Sequence, residues 1–143
     1  MLLTKKIRIF PTHEQETVLW YLAEKCRLIY NFALEERIEE WKQNKKRSKK
    51  NKHYISYTEQ KNILPYIKTK YPEYRWVYSK VLQMTLRKLD EAYKSFFSKW
   101  KKGDITARPP RFKGKKYFTT LCYNQSGFKI EKDKIEFSHK HPL

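Results

Sequence analysis

Two long stripes of apolar side chains at helical spacing constrain this 143-residue chain more than any other feature. In the first, Leu19, Leu22, Cys26, Ile29 and Ala33 step by three and four, and Val18, Tyr30, Ile38 and Trp41 widen it. An α-helix returns to one face about every 3.6 residues, so such a stripe buries as one side of an amphipathic helix. Pro11-Thr12-His13-Glu14-Gln15 supplies the start, with Thr12 as N-cap and Gln15 as the returning partner of a capping box. Glu14 and Glu16 fall in the first turn, where the helix dipole favours carboxylates. The helix is expected to run to about residue 41. Glu35, Glu36, Glu39 and Glu40 repel one another along it, and should pair with basic groups elsewhere or in the loop that follows.

The second stripe, Leu82, Leu86, Leu89, Tyr93, Phe96 and Trp100, predicts a strong helix capped by Ser79 and closed by Gly103. Its opposite face carries Gln83, Arg87, Asp90 and Lys94. Between the two, Ser56-Tyr57-Thr58-Glu59 opens a helix that Pro65 should keep short, and Tyr71-Pro72 stops whatever continues. After Gly114 the period changes. Residues 117–123 are rich in β-formers, and Phe128, Ile130, Ile135 and Phe137 alternate with polar residues around a Lys132-Asp133 turn, which predicts a hairpin. Leu3, Ile7 and Ile9 alternate with Thr4, Lys6 and Arg8 as in a short strand, which needs partners, and the later strands are the natural ones. The fold class expected is α+β: a helical bundle inserted after the first strand of a small β-barrel, whole or incomplete. The divisions are 1–10, 11–108 and 109–143.

The formal net charge is +18, and 16% of residues are aromatic. Disordered basic tails are poor in aromatics, so a folded polyanion binder is the expectation. The charge is concentrated. Residues 41–53 hold seven basic and no acidic side chains, and residues 99–116 hold eight basic and one acidic, so two segments supply +14. Lys42–Lys52, with Lys45, Lys46 and Arg47, has no apolar residue and reads as a mobile loop, a plain linker or a phosphate contact. In the other segment, Arg111, Phe112, Lys113, Lys115 and Lys116 interleave cations with an aromatic ring ahead of Tyr117 and Phe118. Cations take phosphates and rings stack on unpaired bases, while Phe112 and Phe118 fit core packing equally well. Arg27 and Asn31 share a helix face next to Tyr30. They suit a phosphate and a base or ribose, or else Arg27 pairs with an acid while Tyr30 packs in the bundle.

Catalytic signals are weak. No Ser or Cys has a recognisable His partner, and the three glycines form no phosphate loop. Cys26 and Cys122 stand far apart, which suits neither a zinc site nor a disulfide framework. His139 and His141 make a poor pair of metal ligands on a tail. No uncharged run is long enough for a membrane span, and no secretory signal opens the chain. The expectation is therefore no catalytic residue, no metal, no cofactor and no membrane partner, in a reducing, cytosolic setting.

Three blocks resemble one family. Lys6–Gln15 with Cys26–Leu34, then Ser79–Phe97, then Pro110–Lys116 with Asn124–Ile130, are similar, in this order, to the amino-terminal part of TnpB (OrfB) proteins of insertion sequences. The resemblance implies an RNA-guided DNA endonuclease whose β-barrel wedge domain carries an inserted helical recognition domain. It implies guide RNA and DNA as partners, and a cytoplasmic, nucleoid-associated location in a prokaryote. Arg27, Tyr30, Asn31 and Gln83 would lie on recognition helices, and Arg111, Phe112, Lys113 and Lys116 at the return to the wedge. Arg8, Arg87 and Lys115 complete the candidate nucleic-acid contacts. The family's RuvC-like carboxylates and zinc ribbon cannot be assigned in this chain, so nuclease activity does not carry over. The chain is then expected to be a cloned piece, the product of a decayed or frameshifted gene, or an amino-terminal fragment whose nuclease half is separate or missing. The rival reading is a helix-turn-helix DNA-binding regulator or inhibitor derived from a transposase gene. Its two helices would be Ser56–Pro65 and Ser79–Trp100, although the connection between them is long. A nuclease completed by oligomerisation would need catalytic residues the sequence does not offer.

Overall fold

A computed structural model describes residues 2–124 and 126–137. It contains three helices, α1 (His13–Asn44), α2 (Tyr57–Lys70) and α3 (Ser79–Lys101), and two strands, β1 (Phe128–Ile130) and β2 (Ile135–Phe137). Short 3-10 turns occupy Lys49–Asn51 and Pro72–Trp76. The capping box that opens α1 is complete: the Gln15 amide N–H donates to Thr12 Oγ1 at 3.2 Å, and the Thr12 N–H donates to Gln15 Oε1 at 2.9 Å. α1 runs one turn beyond the expected end, because Asn44 finds a partner there (below).

The core lies where the three helices meet. α1 contributes Leu22, Cys26, Ile29, Tyr30, Ala33 and Leu34, α2 contributes Leu64 and Ile67, and α3 contributes Val81, Leu82, Leu86 and Leu89. Burial pushes the Cys26 thiol up to about 11, so it behaves as a small apolar side chain. A polar network crosses this core. Gln60 of α2 is buried, and its Nε2 donates to the Ala33 carbonyl of α1 at 2.9 Å. Its Oε1 accepts from Arg37 Nε at 2.9 Å, and Arg37 Nη2 reaches Asp90 of α3 at 3.0 Å. One guanidinium therefore ties the three helices together. Although burial opposes it, Lys94 and Arg37 hold the Asp90 carboxyl below its ordinary value.

Four expectations are corrected. Residues 3–10 do not form a strand: the segment is exposed, and among the described residues the sheet is a pair of three-residue strands, which does not close into a barrel. Residues 117–123 are irregular rather than a strand, although Phe118, Leu121 and Tyr123 pack on the core. α2 does not stop at Pro65. Pro65 sits on the exposed side, while Leu64 and Ile67 are buried, and that burial carries the helix to Lys70. Ser79 is the first residue of α3 and not its cap. Tyr78 takes the cap position without a side-chain capping bond, and the Ser79 hydroxyl accepts from Lys68. The ends expected from Ser56, Tyr71-Pro72 and Gly103 are all present, with Gly103 at φ +86° and its N–H donating to the Trp100 carbonyl.

The hairpin is as expected, with Phe128 opposite Phe137, Ile130 opposite Ile135, and the Glu131 N–H closing onto the Lys134 carbonyl at 2.9 Å. Aromatic contacts anchor it: Tyr123 lies 4.7 Å from Phe137 and stacks on Tyr78 at 6.1 Å, and the Tyr78 and Ser126 hydroxyls are 2.9 Å apart. Gly127, at φ +88°, passes so close to the Tyr78 ring that a Cβ would fall inside its van der Waals envelope. Gly127→Ala should therefore cost about 2 kcal/mol, through left-handed strain and displacement of Tyr78. Amide exchange should show the loss first at Phe128–Phe137. Unchanged protection there would contradict this.

Candidate nucleic-acid interface

The two basic segments are both fastened to α1, by the same device. Asn31 Nδ2 donates to the Lys113 carbonyl at 2.9 Å, and its Oδ1 accepts the Lys113 N–H at 2.8 Å. Asn44 does the same to His53: Nδ2 donates to the carbonyl at 2.6 Å, and Oδ1 accepts the N–H at 3.0 Å. A primary amide has one acceptor and one donor side, so it pairs with a single residue's backbone as a neighbouring strand would. Arg27 reinforces the first clamp, with Nη1 donating to the Lys113 carbonyl at 2.9 Å while Nε and Nη2 hold the Glu24 carboxylate at 2.8 and 2.6 Å. Those bonds from Arg27 hold the Glu24 carboxyl below its ordinary value.

Arg27 and Asn31 thus face inward onto the junction. Tyr30 is core, only 3% exposed, with its ring 5.8 Å from Phe118 and under the Lys113 ammonium at 5.4 Å. Of the two rings left open above, Phe118 is buried beneath Lys88 and Phe112 is 55% exposed. Arg111, Lys115 and Lys116 stand exposed on the same junction, beside an exposed Tyr117. Lys116 adopts φ +62°, a left-handed conformation that turns the chain there. The clamp at Lys113 therefore presents cations and ring faces to solvent from a fixed backbone.

The loop expected to be mobile is tied as well. Arg47 bonds to Glu40 and donates to Asn44 Oδ1 at 3.2 Å, and Lys45 covers the Trp41 ring at 3.8 Å. Glu40 thus takes its cation from the loop that follows. Lys46, Lys49 and Lys50 are exposed. Arg87 pairs with Glu91 on α3 at 3.4 Å, and Arg8 lies over Phe10 at 5.3 Å. Gln83 lies apart from the junction, in a shallow groove between α2 and α3 lined also by Lys61, Asn62, Lys68 and Ser79. Partial burial holds the Lys68 ammonium below its ordinary value. Sequence reasoning passed over Asn44, Gln60 and Lys88. The only signal for Asn44 was an uncharged residue with a helix-terminating side chain inside a run of cations. Gln60 and Lys88 carried none.

Among the described residues, no group of three or more His, Cys, Asp or Glu side chains converges where a metal ion could sit, and no helix is long and apolar enough to cross a membrane. His139 and His141 lie outside the described residues.

Residues 1–46 match the family model HTH_OrfB_IS605, a helix-turn-helix domain. The match supports the resemblance to the amino-terminal part of a TnpB/OrfB insertion-sequence protein. In the structure this range holds an extended segment, the whole of α1 and the start of the turn beyond it, so it contains one helix. No curated protein and no solved structure matches the chain.

Two predictions follow from the clamps. Asn31→Ala leaves the Lys113 N–H without its partner and should cost about 1–3 kcal/mol locally. Trypsin should then cut after Lys113, Lys115 and Lys116 about tenfold faster, with helix content unchanged. His53 sits between Glu59 at 3.0 Å and Glu40 at 3.4 Å, and its pKa is raised above 6.5 chiefly by the Glu59 hydrogen bond. A raised histidine stabilises fully below its unfolded value and loses that contribution as pH rises through the folded one. Proton NMR should find His53 titrating above its ordinary value of 6.5, with cleavage in residues 46–52 increasing as the pH rises through the raised, folded-state value. A His53 titration at or below 6.5 would contradict this.

Proposed function

We propose that this chain is the nucleic-acid-binding amino-terminal module of a TnpB-like, transposon-encoded protein, gripping guide RNA and the guide–target duplex. The observation that carries the reading is the clamped junction: Arg111, Phe112, Lys115, Lys116 and Tyr117 project from backbone that Asn31 and Arg27 hold on α1. Fixed cations bind phosphates with less ordering cost than cations on a free loop, and each contact releases condensed counterions. The match over residues 1–46 to a domain described as helix-turn-helix supports nucleic acid as the partner class. By resemblance, residues 109–143 belong to a wedge-like β unit, of which the hairpin is a part. Gln83 in the α2–α3 groove offers an amide for a duplex edge.

The helix-turn-helix character of the matching family also favours a second reading, a DNA-binding helix-turn-helix regulator. For α2 and α3 to serve as its two helices, the turn would have to be the stretch Tyr71–Tyr78, which holds its own 3-10 turn and is longer than such turns are. Protection of a palindromic DNA site without RNA would favour this reading over the first.

The deciding measurement is affinity for structured RNA against salt. The logarithm of the affinity should fall linearly with the logarithm of salt concentration. Replacing Arg111, Lys115 and Lys116 together with alanine should reduce the slope by about 2–3, since each phosphate contact contributes roughly 0.9. Salt-independent binding, or a slope untouched by the triple replacement, would overturn the proposal.

A further inference from the structure

The end of α3 departs from its expected role. The apolar seam predicts burial as far as Trp100, yet the last buried residue of α3 is Leu89. Tyr93 and Phe96 are half-buried, whereas Phe97 and Trp100 are 52% and 61% exposed. The rings are not scattered. Tyr93 stacks on Phe97 at 6.1 Å and 23°, Phe96 lies 5.1 Å from Phe97, and Phe96 lies 6.2 Å from Trp100. The buried end of this ladder holds its exposed end in place. Phe97 and Trp100, three residues apart, share one side of the helix with Lys94 and Lys101.

An exposed aromatic patch invites either another protein or unpaired bases, and charge decides between them. No acidic residue lies between Glu91 and Asp104, while Lys94, Lys99, Lys101 and Lys102 do. Asp104 is turned onto the Thr106 N–H at 2.9 Å. The partner must therefore be anionic and must offer flat apolar faces. Unpaired nucleotides have both properties, and every base has a face to stack.

We propose that Phe97 and Trp100 form a stacking platform for unpaired bases of a single-stranded nucleic acid, with Lys101 and Lys102 neutralising its phosphates. This rests on the nucleic-acid reading above but uses different residues from the clamped junction. The junction grips backbone; the platform selects strands whose bases are free.

The test compares fluorescently labelled oligouridine with an abasic strand of equal length and backbone, by anisotropy. The unmodified protein should bind oligouridine about tenfold more tightly than the abasic strand, as stacking of a base or two would give. Phe97→Ala combined with Trp100→Ala should abolish that preference while leaving abasic affinity unchanged. Trp100→Phe, which keeps a ring, should retain most of it. Both side chains are exposed, and circular dichroism should show the helices intact. Equal affinity for the two strands in the unmodified protein, or a preference that survives the double replacement, would overturn the platform. So would sedimentation showing a dimer that the double replacement dissolves with no effect on oligouridine. A duplex RNA control separates the two proposals: duplex binding without base preference removes the platform alone, and no binding to any of the three strands removes both.

Discussion

The arrangement of charge on this molecule depends on two asparagine amides. Asn31 and Asn44 project from the same helix, and each closes both of its hydrogen-bonding sides on the backbone of one distant residue. Breaking a satisfied amide of this kind strands a donor or an acceptor, which costs about 1–3 kcal/mol when the group is buried. Without the clamps, the segments carrying most of the positive charge would lose the paired backbone bonds that hold Lys113 and His53 on α1. The clamps turn both into defined surface, and Arg27 adds a second donor at the busier of the two. The Gln60–Arg37–Asp90 network acts one level deeper, fixing α2 and α3 on α1 so that the rest has a rigid base.

Much of the helical framework was legible because its signals are local. Thr12 and Gln15 announced the start of α1, Ser56 that of α2 and Gly103 the end of α3, since each acts within four residues of itself. The failures lay where a distant partner decided the outcome. Pro65 was outweighed by the burial of Leu64 and Ile67 against other helices, and the Ser79 hydroxyl, expected to cap α3, accepts from Lys68. Residues 3–10 have strand-like alternation, yet among the described residues the sheet pairs only β1 with β2. Alternation states what a segment would bury if paired, and says nothing of whether a partner is within reach.

The candidate site divides along the same line. Arg111, Phe112, Lys115 and Lys116 were chosen for composition and are exposed together. Arg27, Tyr30 and Asn31 were chosen for spacing on one helix; Arg27 and Asn31 direct their polar groups at the chain's own junction, while the Tyr30 ring packs in the core against Phe118. Helical spacing identifies residues that work together. It does not say whether they face a ligand or another part of the protein, because that depends on a segment 82 residues away.

The spacing of the two clamps has a geometric consequence. Thirteen residues separate Asn31 from Asn44, which is about 20 Å of helix and a rotation of about 220°. The two basic segments therefore leave α1 from nearly opposite sides. A straight, stiff polyanion lying along one side of the helix can engage only one of them. Full engagement requires a polymer that bends around the helix or passes across its end. The positive charge is thus distributed around α1 and not laid along a single side of it.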